Sequence, residues 1–430
     1  MMSATVLPAG GGRLHGTVSL PTSKSLTNRA LVAAAVAGGG TIVSPLDCDD
    51  TRVLAAALQK AGWPVEWQAV VEVGARSVGS DRVSLDVKDS GTGSRLLIAL
   101  LAASRGAFVV DGSARLRERP MGPLFDALDT LGATVRASNG FLPAEIDGRV
   151  LTGGPVDIRP EISSQFVSAL VLAGPLMRDG LELRVSGPLP SAPYLDLTVD
   201  VMRSFGSDLA VTEDRRTWRV APVPLQPTQF EVEGDWSATA FFLAAVAVAG
   251  GELELGPLDP ASRQGDRAVL RILADAGLDF DWRERTLIVR GPIVAPLSAD
   301  LSDTPDLFPA LAATAACAPP GSQFSGLDHL KHKESDRLAT MVANLERLGA
   351  ILTVRGPELQ VEATVDSIPD DSRRVTAAND HRIAMAMAVA ALGAGRLELD
   401  DPSCVSKSFP RFWDIWESLI GPLDGGGSTR

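Results

Sequence analysis

The sequence predicts an α/β fold of two similar lobes, and three observations carry that expectation. A helix-like stretch that ends at glycine and passes into a strand-like one recurs six times, at Gly62, Gly132, Gly206, Gly277, Gly349 and Gly421, spaced 70–74 residues apart. Six Ala-rich apolar stretches, each ending in Gly or Pro-Gly, alternate with these. The most Pro-rich segment, Pro222–Pro227, falls near the middle of the chain, where a crossover between two halves is expected. A fixed period of this length is the mark of a repeated supersecondary unit.

Taken in order, the apolar stretches are Asn28–Gly38, Gly91–Gly106, Ser164–Gly174, Ser237–Gly250, Asp306–Gly321 and Asp380–Gly393. Each reads as a helix apolar on nearly every side, hence buried, followed by a short strand such as AFVVDG, LELRVS, ELELG or RLELDD. The stretches that end at the six periodic glycines, such as AALQKAG and ANLERLG, are amphipathic and expected to be half exposed. Glycine suits the left-handed turn that closes a helix before a strand. The unit is therefore apolar helix, strand, amphipathic helix, then one or two strands. Three such units can pack their buried helices together with sheets outside, and six give two lobes. Gly10–Gly12 and Gly425–Gly427 read as frayed ends.

The polar residues gather where the apolar helices begin. Ser23-Lys24-Ser25 and Arg29 flank the first, although cations are unfavourable at the positive end of a helix dipole unless an anion sits among them. Asp89-Ser90-Gly91-Thr92-Gly93 precedes the second, a loop able to bring N–H groups to an anion. Ser163-Ser164-Gln165 opens the third with more hydrogen-bonding groups than a cap needs, and Asp235 caps the fourth. Asp306 begins the fifth, as a dipole partner or a general base. The sixth starts Asp380-His381-Arg382, with Asp380 as cap and two cationic residues again at the unfavourable end. Arg115, Arg117 and Arg119 alternate, as on one side of an extended segment. Lys331 to Arg337 reads as the opening of an amphipathic helix, with Lys333 and Arg337 on one face and Glu334 beside them. Lys407 lies between Ser406 and Ser408. Local rules broken repeatedly in one sense point to a site for more than one anionic group.

Composition bounds the partners. The 430 residues are 45% hydrophobic and 22% charged, with a net charge of −13 and no long basic run, which argues against nucleic acid or an acidic membrane. Apolar runs fall short of the ~20 residues that span a bilayer, and no signal peptide is read, so a cytoplasmic protein is expected. Three scattered cysteines and four histidines offer neither a disulfide framework nor a metal cluster. Cys48 stands among Asp47, Asp49 and Asp50, which disfavours a thiolate nucleophile.

Ten motifs in register, SKSLTNRAL, SGT, RERPMG, SSQFVSAL, SAPYLDLT, EGDWSATAFFLAA, RQGD, KESDR, NDHRIAMA and SKSFP, resemble those of the 5-enolpyruvylshikimate-3-phosphate synthases. The resemblance covers essentially the whole chain. It implies the enolpyruvyl transferase fold, an inside-out α/β barrel of two lobes with three βαβαββ units each. One lobe would comprise residues 1–20 and 234–430 and the other 21–233, with the active site in the cleft between them. It implies transfer of the enolpyruvyl group of phosphoenolpyruvate to the 5-hydroxyl of shikimate 3-phosphate, by a monomer, with no cofactor and no metal. Lys24, Ser25, Arg29, Ser163, Ser164, Gln165, Ser191, Tyr194, Asp306, His329 and Lys333 would hold shikimate 3-phosphate. Lys24, Gly91, Arg119, Gln165, Glu334, Arg337, His381, Arg382 and Lys407 would hold phosphoenolpyruvate. Asp306 would take the hydroxyl proton or stabilise it, and Lys24 or Glu334 would deliver one to C3.

Two positions depart from the family pattern. Asp89 and His329 stand where Asn is common. An ionised Asp89 would repel the donor phosphate, so it is turned away, paired with a base such as Arg95, or protonated. The UDP-N-acetylglucosamine enolpyruvyltransferases are a weaker match, because their reactive-loop cysteine has no counterpart between Ala107 and Arg119. A non-catalytic anion-binding scaffold is opposed by the joint presence of Lys24, Asp306 and Glu334.

Overall fold

A computed structural model describes residues 5–8, 12–79, 81–365 and 374–421. Of the segments expected to fray, Gly10, Gly11 and Gly425–Gly427 lie outside the described residues. The chain divides into two compact units, one running to Pro21 and resuming at Gly234, the other spanning Thr22–Glu233. Each has its own apolar core. The Pro-rich segment 222–227 lies inside the second of these units, just before its strand Gln229–Glu231, and not at a crossover. Proline cannot join a ladder as a donor, so its clustering marks a strand approach as readily as a linker.

The Thr22–Glu233 unit holds α1 (Lys24–Ala37), α2 (Asp49–Lys60), α3 (Gly91–Ala102), the single turn α4 (Ala114–Arg117), α5 (Gly122–Thr130), α6 (Gln165–Ala173) and α7 (Pro193–Ser204). The other unit holds α8 (Trp236–Ala249), α9 (Val269–Asp275), α10 (Phe308–Cys317), α11 (Arg337–Arg347), α12 (His381–Ala394) and α13 (Phe412–Ile420). The apolar helices α1, α3, α6, α8, α10 and α12 are buried along nearly their whole length. The helices that follow bury one face only, as in α2 and α11.

Each repeat builds one sheet by the same rule. In the second, strand Arg82–Asp86 runs parallel to Gly106–Asp111, which pairs antiparallel with Phe141–Gly148 and that in turn with Thr134–Ser138. The parallel pair requires a crossover, and α3 supplies it. Three repeats borrow strands from distant sequence, the first of them pairing Gln229–Glu231 parallel with Gly40–Val43. Leu14–Ser19 pairs parallel with Gly251–Gly256 after α8, and Thr5–Leu7 pairs antiparallel with Leu397–Leu399 after α12. All six periodic glycines have φ between +76° and +105°, a region that costs side chains strain. Gly251 adds a close approach, since a Cβ there would lie 2.0 Å from the Leu14 carbonyl oxygen.

Two local expectations are corrected. Arg115 to Arg117 form the helical turn α4 and not an extended segment, because the Ser113 side chain caps it by accepting from Leu116 N. Lys333 is not on an amphipathic helix with Arg337. A 3₁₀ segment covers Asp328–His332, and α11 begins only at Arg337, with Asp336 capping Ala339 N at 3.1 Å. A cap of this kind is worth about 0.5–2 kcal/mol, enough to set where a helix starts.

Candidate active site

In the Thr22–Glu233 unit, the polar residues at the starts of α1, α3, α6 and α7 are held mainly by neutral groups. Lys24, the first residue of α1, pairs with Asp50 in the first turn of α2 at 2.9 Å. Asp50 went unselected in the sequence, where it is one of three acids around Cys48. Arg29 is buried. It donates to Thr198 Oγ1 at 2.9 Å, the Ser25 carbonyl at 3.0 Å, the Tyr194 carbonyl at 3.1 Å and Ser168 Oγ at 3.3 Å. Burial lowers it to about 10, with Tyr194 opposing.

Gln165 links α6 to α3, accepting from Arg95 Nη1 and donating to Thr92 Oγ1, both at 2.8 Å. Ser163 Oγ accepts from Gln165 N at 3.3 Å, and Ser164 Oγ donates to the Ser191 carbonyl at 3.1 Å. Ser191 itself sits at φ +59°, a strained backbone placed just ahead of α7. The Arg119 guanidinium lies directly against Gly91, where a Cβ would come within 2.1 Å of Nη1. Only glycine leaves that arginine its place. Asp89 accepts a hydrogen bond from the Ser113 hydroxyl, which ties it to the cap of α4. Cys48 is buried and pushed up to about 11 by burial and Asp50, in keeping with an inert thiol.

In the other unit the corresponding residues form a charged network. Arg337 is 1% exposed and binds three acids: Asp306 at 2.7 Å, Glu334 at 2.7 Å and Asp380 at 2.8 Å. Arg382 reaches Asp306 Oδ2 at 3.0 Å, Lys333 reaches Asp306 at 3.8 Å, and Lys407 reaches Glu334 at 3.6 Å. Asp380 caps α12 by accepting from Arg382 N, and it also accepts the Ser335 hydroxyl. The cations that break the helix-dipole rule thus meet the protein's own carboxylates.

Burial alone would raise the Asp306 carboxyl, but Arg382, Lys333 and Arg337 outweigh it and hold it well below the usual carboxylate range. Arg337, for all its burial, is held above its ordinary value by Asp380, Glu334 and Asp306. His381 is fully buried, with Nδ1 3.9 Å from Asp380 Oδ1. His329, also buried, is pushed down to about 3 by burial and then by Lys333, so it is neutral near pH 7. Its Nε2 has no hydrogen-bond partner among the described residues.

Every selected site residue of this unit except His329 and His381 therefore joins one ion network, and both histidines adjoin it. Asp266, which the sequence did not single out, is buried and accepts the hydroxyl of Ser237. A cavity of about 470 Å³ on the fifth sheet is lined by residues such as Arg271, Asp300, Arg355 and Glu358, and by none of the selected residues. Among the described residues, no helix is long and apolar enough to cross a membrane, and no group of three or more His, Cys, Asp or Glu is placed to hold a metal ion.

The fold is that of the enolpyruvyl transferases. EPSP synthase from Acinetobacter baumannii superposes with a TM-score of 0.77 at 24% identity, over 98% of this chain and 99% of that one. The enolpyruvyl transferase NikO of Streptomyces tendae gives 0.77 at 19% identity, over 98% of both chains. A relative in Halobacterium salinarum, a 3-phosphoshikimate 1-carboxyvinyltransferase, is 37% identical over 99% of this chain and 100% of its own length. The family profile of EPSP synthase (3-phosphoshikimate 1-carboxyvinyltransferase) matches residues 8–416. The chain belongs to the EPSP synthase family.

Proposed function

We propose that this chain transfers the enolpyruvyl group of phosphoenolpyruvate to the 5-hydroxyl of shikimate 3-phosphate and releases phosphate, a step of the shikimate pathway to aromatic amino acids. It acts as a cytoplasmic monomer. The observation that carries the site assignment is the network around Asp306. Acids able to move protons share their cations with residues suited to phosphate and carboxylate, and both substrates carry those two groups.

Asp306 faces the acceptor hydroxyl and takes its proton as the oxygen attacks C2 of the donor. Lys24 or Glu334 supplies the proton to C3, giving a tetrahedral intermediate that loses phosphate. Arg119, Arg337, Arg382 and Lys407 bind the donor, with Gly91, Gln165 and His381 alongside. Arg29, Ser25, Ser163, Ser164, Gln165, Ser191, Tyr194, His329 and Lys333 bind the acceptor. A carboxylate held as low as Asp306 is a weak base. An anionic donor that draws Arg337 and Arg382 to itself strips Asp306 and Glu334 of counter-charge, so the base strengthens when substrate arrives.

The test is phosphate release from phosphoenolpyruvate, assayed with shikimate 3-phosphate and, in parallel, UDP-N-acetylglucosamine. Turnover with only the second acceptor, or with neither, sinks the reading. Asp306→Ala and Glu334→Ala are each expected to lower kcat by about 10²–10⁴-fold, the usual worth of a proton-transfer group. Near-normal turnover in either variant removes that residue from the mechanism.

A further inference from the structure

The turn that delivers Arg119 to Gly91 is too short to hold itself. α4 has four residues, and a single helical turn fixes several dihedrals for very few hydrogen bonds, so its closure has to come from outside. Two side chains supply it. Arg117 forks onto Asp111, at the end of strand Gly106–Asp111, with Nε donating at 2.8 Å and Nη2 at 2.6 Å. Ser113 Oγ accepts from Leu116 N at 3.1 Å, and the Leu116 carbonyl accepts from Arg119 N, also at 3.1 Å. The Ser113 side chain thus begins a run of bonds that ends at the arginine.

Ser113 is itself held in place. Its backbone N–H donates to the Lys88 carbonyl at 2.9 Å, and its hydroxyl donates to Asp89 Oδ1. A hydroxyl has one proton, and directing it at Asp89 leaves the lone pairs to accept from Leu116. An ionised acceptor fixes that rotor more firmly than a neutral one. The surrounding packing is tight, since a Cβ at Gly112 would lie 2.6 Å from both Leu116 Cδ2 and the Lys88 carbonyl oxygen. Two residues of one loop therefore meet α4: Asp89 holds its cap, and Gly91 receives the arginine that follows it.

We propose that Asp89 is a positioning residue for the donor site, acting through Ser113 and α4 to set the Arg119 guanidinium on Gly91. This rests on the role given to Arg119. The repulsion that an acid so close to Gly91 brings to an anionic donor is offset by the placement of the guanidinium that binds that donor.

The test compares Asp89→Ala, Asp89→Asn, Ser113→Ala and the double variant Asp89→Ala with Ser113→Ala. For Asp89→Ala we expect KM for phosphoenolpyruvate to rise about tenfold while KM for shikimate 3-phosphate stays within about twofold. Asp89→Asn, whose amide oxygen still accepts from Ser113, keeps the donor KM within about threefold of wild type. The double variant matches Ser113→Ala, because without the hydroxyl Asp89 has no cap to hold. A wild-type donor KM in Asp89→Ala overturns the proposal, and so does an equal rise for both substrates, since the loop has then merely lost its shape. A donor KM that falls about tenfold in Asp89→Asn overturns it too, because the charge then only repels the donor. Losses that add in the double variant have the same force, since Asp89 then acts apart from Ser113.

Amide hydrogen exchange gives a reading that needs no turnover. The Leu116 N–H bonds to the Ser113 hydroxyl, so its exchange is expected to speed up about tenfold in Asp89→Ala and in Ser113→Ala, and to stay within about threefold of wild type in Asp89→Asn. Unchanged exchange at Leu116 in Asp89→Ala overturns the proposal. A wild-type chain with no turnover on either acceptor overturns the proposed function instead, and the exchange data still decide whether Asp89 holds α4.

Discussion

Arg29 and Arg337 are both buried arginines near helix starts, yet their surroundings differ in kind. Arg29 donates to two hydroxyls and two backbone carbonyls, whereas Arg337 sits among three carboxylates. Burying a guanidinium among neutral acceptors leaves net positive charge in place, ready for a ligand anion. Burying it among acids balances the charge internally, so a ligand anion must compete for it. The first arrangement holds a standing site for an anion. The second couples anion binding to the basicity of the acids displaced, which is what a proton-transfer site requires.

The largest effect that would break this comparison is on stability. Arg337→Met strands three acids, and urea unfolding is expected to show a loss of about 3–5 kcal/mol, as for a broken buried ion pair. Arg29→Met strands only neutral acceptors and is expected to cost about 1–3 kcal/mol. Equal costs would mean that the two sites are not different in kind.

A smaller effect concerns Arg119. Gly91→Ala forces the Arg119 guanidinium off its seat, so KM for phosphoenolpyruvate is expected to rise about 10–100-fold while KM for shikimate 3-phosphate stays within about twofold. A matching rise for both substrates would show that the loop, and not the arginine alone, has moved.

The smallest is a pH effect on the charged network. The Asp306 carboxyl is depressed in the folded state, so its contribution is fully present above the unfolded value near 4 and is lost as pH falls through the lower folded one. The stability gap between wild type and Asp306→Asn should hold steady from about pH 7 to 5 and narrow below about pH 4. A gap that closes near pH 6 would place the depression elsewhere.

The fold was legible because its punctuation is local. A glycine that must turn left-handed after a helix announces itself in one dimension, and Gly62, Gly132, Gly206, Gly277, Gly349 and Gly421 all do so. The buried helices were legible for a similar reason, since a run such as Ala238–Ala247 has no polar face to expose. Short elements were not. A one-turn helix like α4 has no period to detect, and alternating Arg115, Arg117 and Arg119 mimic a strand. The site was legible as an excess of cations in the wrong places, but the identity of their partners was not. Asp50 answers Lys24 from the next helix, and Asp380 answers Arg337 from 43 residues away, pairings that only folding creates. Asp266 was visible in RQGD yet carried no anomaly, because an acid in a first turn obeys the dipole rule.

The borrowed strands Thr5–Leu7 and Leu14–Ser19 have a consequence for biogenesis. Thr22–Glu233 draws all its strands from its own contiguous sequence, so it can close while still attached to the ribosome. Its companion cannot, because Leu14–Ser19 waits for Gly251–Gly256 and Thr5–Leu7 waits for Leu397–Leu399. An exposed, unpartnered strand edge must be kept from misassociation through most of translation. Asp235 N bonds the Pro21 carbonyl at 2.9 Å, so the two cut ends left by excising Thr22–Glu233 already touch, and a short splice would yield the late-closing body alone.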